Sequence, residues 1–237
     1  MKKVKEEVLY KYSFYQPVDG YRYSIDALLL AGFVKSKTEQ IKILDIGTGS
    51  GIITLLISKR FPNWEFSAVE IQQDLYEIAN ENFQLHKLEV GLFYCDYRDL
   101  EGQDSYDIIV SNPPFFNNGH QPSNQQTAVA RHEIFGDMES LIHKAKKLLK
   151  AGGDFYVIYP ANRLAELLTK LSNEKLAPYA IKPIYPKPAM EATLVMVVAK
   201  KNYKGRLQVL SPLYIGDISG KDTKEIKDLY EKGVLEW

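Results

Sequence analysis

The chain has 237 residues, 45% of them hydrophobic, and its 30 basic and 30 acidic side chains cancel, so net charge neither demands a nucleic-acid partner nor excludes one. A lone cysteine, Cys95, makes no internal disulfide, and the opening MKKVKEEVLY lacks the apolar run of a secretion signal; both point to the cytoplasm. No apolar stretch approaches the roughly 18 residues of a membrane helix, and no linker-like or low-complexity run is present, so no membrane partner is expected.

In chain order, residues 1–40 read as an N-terminal extension, 41–201 as one α/β domain, and 202–237 as a tail packed on that domain and closing with the helix TKEIKDLYEKG. From Lys42 onward, short apolar runs alternate with helix-like segments: KILDIG, GIITLLISKR, EFSAVE, QDLYEIANENFQLH, GLFYCD, YDIIVSN. Near-continuous apolar strands alternating with helices predict a doubly wound, mostly parallel sheet, because right-handed crossovers place helices on both faces. The pattern continues with a helix over Met138 to Lys150, a stop at Gly152-Gly153, the strand DFYVIYP, a helix from Asn162 to Ser172, and strands around Tyr179 to Tyr185 and Leu194 to Lys200. That gives seven strands. The last two are joined by IYPKPAMEA, too short for a crossover helix, so they are expected to form an antiparallel hairpin at the sheet edge.

The first strand runs into Asp45-Ile46-Gly47-Thr48-Gly49-Ser50-Gly51, and a helix starts where the glycines stop. Glycines there let the backbone approach a ligand and turn main-chain N–H groups and the helix N-terminus toward it. Glu70 ends the second strand, roughly 20 residues past Gly51, the interval at which a carboxylate reaches ribose hydroxyls. A ribose-bearing cofactor is implied, with Asp45, Gly47, Gly49, Gly51 and Glu70 around it. Asp96, after the third strand, either accepts from an adenine amino group or caps a helix. Cys95 is read as a small buried hydrophobe. The fourth strand runs into Asn112-Pro113-Pro114-Phe115. The Asn112 amide oxygen and the Pro113 carbonyl, fixed by the prolines, make two converging acceptors. An amino group on an aromatic ring is a poor nucleophile, and two acceptors on its hydrogens hold the nitrogen with its lone pair toward an electrophile. Phe115 offers a stacking face for a base drawn out of its helix or loop, so the motif selects planar amines.

These residues resemble the class I methyltransferases with an Asn-Pro-Pro-Phe motif, and more narrowly the bacterial tRNA(valine) adenine-37 N6-methyltransferase family. The resemblance covers nearly the whole chain: FYQPVDGYRYSIDALLLAGF, DIGTGSG, NPPFF, ARHEIFGDMESL and VLSPLYIGDISGKDTKEI. It implies the Rossmann-like seven-stranded sheet with an antiparallel last strand, S-adenosyl-L-methionine as cofactor, and adenine N6 of tRNA as target. By the resemblance, Gly47, Gly49, Glu70 and Asp96 contact the donor while Asn112, Pro113, Pro114 and Phe115 hold the adenine; Asp26 and Arg131 match only loosely. No metal is expected, and the working unit is expected to be a monomer. Other enzymes put Asn-Pro-Pro to work on guanine N2 of ribosomal RNA or on a protein glutamine amide, and these remain the alternatives; the amide-modifying group usually has tyrosine after the prolines, where this chain has Phe115. The stretch NNGHQPSNQQTAVA before Arg131 and His132 reads as a lid over the site or as a plain surface loop. Basic clusters at Lys144, Lys146, Lys147 and Lys150, at Lys182 and Lys187, and at Lys200, Lys201, Lys204 and Arg206 read as phosphate contacts or as solvated helix faces.

Overall fold

The computed structural model describes residues 2–9, 11–19, 22–36, 38–114 and 137–237. Phe115, Phe116, the stretch up to Ala130, Arg131 and His132 lie outside the described residues. The chain opens with a hairpin, β1 (Lys3–Val8) and β2 (Tyr12–Pro17), and a helix, α1 (Ile25–Phe33). The alternating unit follows as β3 (Lys42–Ile46), α2 (Ile52–Arg60), β4 (Glu65–Glu70), α3 (Gln73–Leu85), β5 (Val90–Tyr94) and β6 (Tyr106–Ser111). After the undescribed stretch come α4 (Met138–Leu148), β7 (Leu149–Pro160), α5 (Leu164–Asn173), β8 (Leu176–Tyr185), β9 (Leu194–Lys201), the two-residue strands β10 (Gln208–Val209) and β11 (Leu213–Tyr214), and α6 (Lys224–Lys232).

The sheet runs β10-β8-β9-β7-β6-β3-β4-β5, with β11 also on β8. Strands β3 to β7 are mutually parallel and β9 is antiparallel to both β7 and β8. The doubly wound sheet of seven long strands is thus the one the sequence predicts. The expected hairpin forms too, but its second arm, β9, turns inward between β7 and β8, leaving β8 outermost with β10 and β11 on its far side.

Alternation along each strand separates two apolar layers. Ile43, Ile108 and Val110 face the layer that holds α1, α2, the hairpin's Phe14 and the tail's Ile226, Leu229 and Leu235. Leu44, Ile46 and Ile109 face the opposite layer, with Leu141, Ile142 and Leu148 of α4 and Leu167 and Leu171 of α5. The layers change over between β3 and β6, where the order reverses, and in open α/β sheets ligands bind at that reversal, beyond the carboxyl ends of the strands.

One expected boundary is misplaced. The helix after Met138 ends at Leu148, and Gly152-Gly153 lies inside β7, where the pairing with β6 slips between Tyr106↔Leu149 and Ile108↔Asp154. Gly152 has φ +78°, and a Cβ on Gly153 would sit 3.0 Å from the Asp107 and Lys150 carbonyls, so the two glycines serve a bulge.

Candidate functional site: the rim between β3 and β6

Gly47, Gly49 and Gly51 all take positive φ, at +73°, +60° and +88°. The N–H groups of Gly47 and Thr48 both donate to the Val69 carbonyl, at 3.0 and 3.1 Å, which draws the loop over the end of β4. Gly51 caps α2 in the left-handed conformation, and a Cβ there would meet the Phe83 ring at 2.7 Å. Among the described residues nothing lies within 4 Å of where a Gly47 Cβ would be, so no described residue covers this turn.

Two buried carboxyl groups hold the loop. Asp45, 1% exposed, accepts from the Thr48 and Thr54 hydroxyls through Oδ2, at 2.7 and 2.8 Å. Its Oδ1 is buried and has no hydrogen-bond partner among the described residues. Burial, against the two hydroxyl bonds and with Glu70 nearby, pushes its pKa up to about 6. Glu70, 4% exposed, accepts the Gly49 N–H at 2.8 Å through Oε2 and the Gln72 N–H at 2.9 Å through Oε1; burial raises its pKa despite these bonds. The predicted residues Asp45, Gly47, Gly49, Gly51 and Glu70 therefore form one cluster.

Asp96 follows β5, whose Tyr94 pairs with Glu70, and caps a short 3-10 turn, Tyr97–Asp99, accepting the Arg98 N–H at 2.8 Å and the Arg98 guanidinium at 2.9 Å. Burial pushes this carboxyl up, but the Arg98 bonds outweigh it and hold the pKa below the ordinary value. Cys95 is half-buried, and burial raises its thiol pKa, the opposite of what a nucleophile needs.

The Asn112-Pro113-Pro114 corner hangs from the adjacent strand. Asp45 pairs with Val110 in the parallel register, and the Ser111 hydroxyl donates to the Ile46 carbonyl at 2.8 Å. That bond joins the residue just before Asn112 to the residue just before Gly47. Asn112 is 9% exposed, Pro113 is half-buried and Pro114 is exposed. Asn112 and Gly47 thus each stand one residue beyond the Ser111–Ile46 bond, at the neighbouring ends of β6 and β3.

Two contributors were missed in the sequence. Thr54 is invisible as a partner of Asp45 until α2 folds back. Asn82, fully buried, donates to the Ser50 carbonyl at 2.9 Å. Its signal was present, because it occupies an apolar position of the helical stripe Leu75, Ile78, Ala79, Asn82, Phe83.

The donor expected from the sequence is tested by what the loop offers. A turn at Gly47 that no described residue covers, an unpartnered buried oxygen on Asp45 and a strand-end carboxylate at Glu70 fit a ligand with a cationic group and ribose hydroxyls. Among the described residues no group of acidic, histidine or cysteine side chains has the make-up of a metal site, and no helix is long and apolar enough to cross a membrane.

Comparison with known proteins agrees with this geometry. Residues 25–174 match the family model described as the methyltransferase small domain. A tRNA1(Val) (adenine(37)-N6)-methyltransferase of Flavobacterium psychrophilum is 30% identical over 197 residues, 81% of this chain and 84% of the relative. Among solved structures, a predicted O-methyltransferase from Agrobacterium tumefaciens has a TM-score of 0.71 at 21% identity, covering 90% of this chain and 98% of that one. The 16S rRNA N2 G1207 methyltransferase of T. thermophilus, solved with AdoMet and guanosine, has a TM-score of 0.59 at 18% identity, covering 85% of this chain and 50% of that one; these two likenesses are of fold. The chain therefore belongs to the methyltransferase small domain family of class I S-adenosylmethionine-dependent methyltransferases, among relatives that bear the name tRNA1(Val) (adenine(37)-N6)-methyltransferase.

Proposed function

We propose that the protein methylates N6 of an adenine in tRNA, adenine 37 of valine tRNA, with S-adenosylmethionine as donor. The observation that supports this reading is the Ser111–Ile46 hydrogen bond, which joins the residue before Asn112 to the residue before Gly47 at the sheet's reversal point. The bound donor supplies an electrophilic methyl and its own leaving group. The protein's residues bind, orient and exclude water.

On the donor side, the Gly47–Gly51 backbone is already folded in its positive-φ path, so little loop ordering opposes binding. Asp45 Oδ1 is suited to the donor's ammonium and Glu70 to its ribose, each carboxylate oxygen keeping a second lone pair. Asp96 is assigned to the donor's adenine, with Arg98 holding its orientation. On the acceptor side, Asn112 Oδ1 and the Pro113 carbonyl accept the two N6 hydrogens, and Pro114 keeps the corner rigid. Phe115 enters on the sequence alone, as the ring on which the extruded base stacks. No strong base is required: as the N–C bond would form and the S–C bond break, the methylated nitrogen would become cationic and strongly acidic, and its extra proton would pass to water. The donor loop and the Asn-Pro corner both come from one chain, which supports a monomer as the working unit.

Incubating the protein and donor with unmodified valine tRNA, 16S ribosomal RNA and a release factor, followed by nucleoside and peptide mass spectrometry, tests the assignment. N6-methyladenosine at position 37 is expected. A methyl found instead on guanine N2 or glutamine would transfer the reading to the corresponding alternative.

A further inference from the structure

We infer that Asn82 is a positioning residue for donor binding, coupling the N-terminal hairpin to the glycine loop; the inference rests on the reading of that loop as the donor site. Asn82 is 0% exposed in the last turn of α3, and its amide is engaged on both ends. Oδ1 accepts the Tyr15 N–H at 2.7 Å, and Nδ2 donates to the Tyr15 carbonyl at 2.8 Å and to the Ser50 carbonyl at 2.9 Å.

The two bonds to Tyr15 copy the pairing of a neighbouring strand, so a side chain stands where β2 would otherwise expose its edge. Tyr15 spends its N–H and carbonyl outward on Asn82, while the hairpin's other arm faces it at Lys5. The third bond fixes the carbonyl of Ser50, between two glycines whose backbone has the widest freedom in the chain. The next residue of the helix, Phe83, closes the contact by lying against Gly51. Glu70 grips the loop from β4 through Gly49, so Ser50 and Gly49 are held by different elements, one carboxylate and one amide. Loss of the Asn82 amide would free Ser50 and the hairpin together, and the ordering of both would then oppose donor binding.

Asn82→Ala removes all three bonds, whereas Asn82→Asp keeps the acceptor for Tyr15 N–H but turns a carboxylate toward two carbonyls. S-adenosylhomocysteine affinity is read by titration calorimetry at a temperature where circular dichroism shows every variant folded, beside donor KM, kcat and Tm. Both variants are expected to weaken the affinity at least fivefold and raise donor KM similarly, with kcat at saturating donor within twofold of wild type. Amide exchange at Tyr15 should rise in Asn82→Ala and less in Asn82→Asp. Leu229→Ala, in the tail, serves as a control that lowers Tm without moving the affinity. If Asn82→Ala does not fold, Tyr15→Pro deletes the N–H from the hairpin side, leaves α3 intact and is expected to weaken binding in the same direction. Variants that lose Tm but bind like wild type would reduce Asn82 to a structural residue and overturn the inference. Wild-type protein that fails to bind the ligand would instead overturn the donor-site reading beneath it.

Discussion

A carboxyl group sealed under the glycine loop and held by two threonine hydroxyls carries its surroundings into its titration. Asp45 ionises at about 6 in the fold against 3.8 in an unfolded chain, so the folded state holds its proton more tightly. The sign follows: its contribution favours folding below pH 4 and fades as pH climbs from about 4 to about 6, a change on the order of 3 kcal/mol. An ammonium beside Asp45 favours the ionised form, so affinity for S-adenosylhomocysteine is expected to tighten as pH rises through 6. Calorimetric titrations from pH 5 to 7.5 should show this dependence in wild type and a flatter one in Asp45→Asn; identical profiles would separate Asp45 from the donor. The two sides of the rim should also separate by mutation. Asn112→Ala is expected to lower kcat by about 10²–10³ while leaving ligand affinity within about twofold. Glu70→Ala is expected to weaken that affinity by about tenfold or more, about 1.4 kcal/mol, because Gly49 also loses its acceptor. Full turnover in Asn112→Ala would remove it from catalysis, and unchanged affinity in Glu70→Ala would remove that residue from the donor site.

At the scale of elements, alternating apolar runs made β3 to β9 and their helices readable, because the central strands β3, β6, β7 and β9 are buried on both faces, although the edge strand β5 is largely exposed. The remaining elements answer to partners distant in sequence. Strand β1, KVKEEV, has few apolar residues and pairs with β2, which leans on Asn82, 67 positions beyond Tyr15. Strands β10 and β11 have two residues each and no periodicity to read. Gly152-Gly153 has the composition of a helix stop, yet the helix yields at Leu148 because Leu149 already pairs with Tyr106. At the site, Asp45, the glycines, Glu70 and Asn112 were legible because they are close in sequence to strand ends. Thr54 and Asn82 act through packing that only the folded helices create. Two glycines offer a test of conformation against space. Gly152→Ala is expected to cost about 1–2 kcal/mol for its left-handed backbone alone, since no described residue crowds it. Gly51→Ala pays a similar strain and also displaces Phe83, adding about 1–3 kcal/mol. Urea unfolding of both variants reads the difference, and equal losses would mean that the Phe83 ring yields freely.

Across the whole molecule, both chain ends feed the same apolar layer. Val8, Leu9 and Phe14 from the start meet Ile226, Leu229 and Leu235 from the end, all beside α1 and α2. Gly32 makes the approach possible, because a Cβ there would lie 2.5 Å from Leu229 Cδ1. The end is fastened further by the Trp237 indole, which donates to the Phe33 carbonyl at 2.9 Å and lies 4.7 Å from the Phe33 ring. Leu229→Ala is therefore expected to cost about 2–5 kcal/mol and to raise amide exchange across residues 224–237. Exchange that stays as slow as in wild type would show the tail held without it.

The bond from the Ser111 hydroxyl to the Ile46 carbonyl ties together two stretches of chain distant in sequence, one proposed to handle the methyl source and the other the recipient. Each hangs from its own strand. A graft of another enzyme's recipient corner onto the end of β6, keeping Ser111, should therefore change what is modified while the methyl source continues to bind as before.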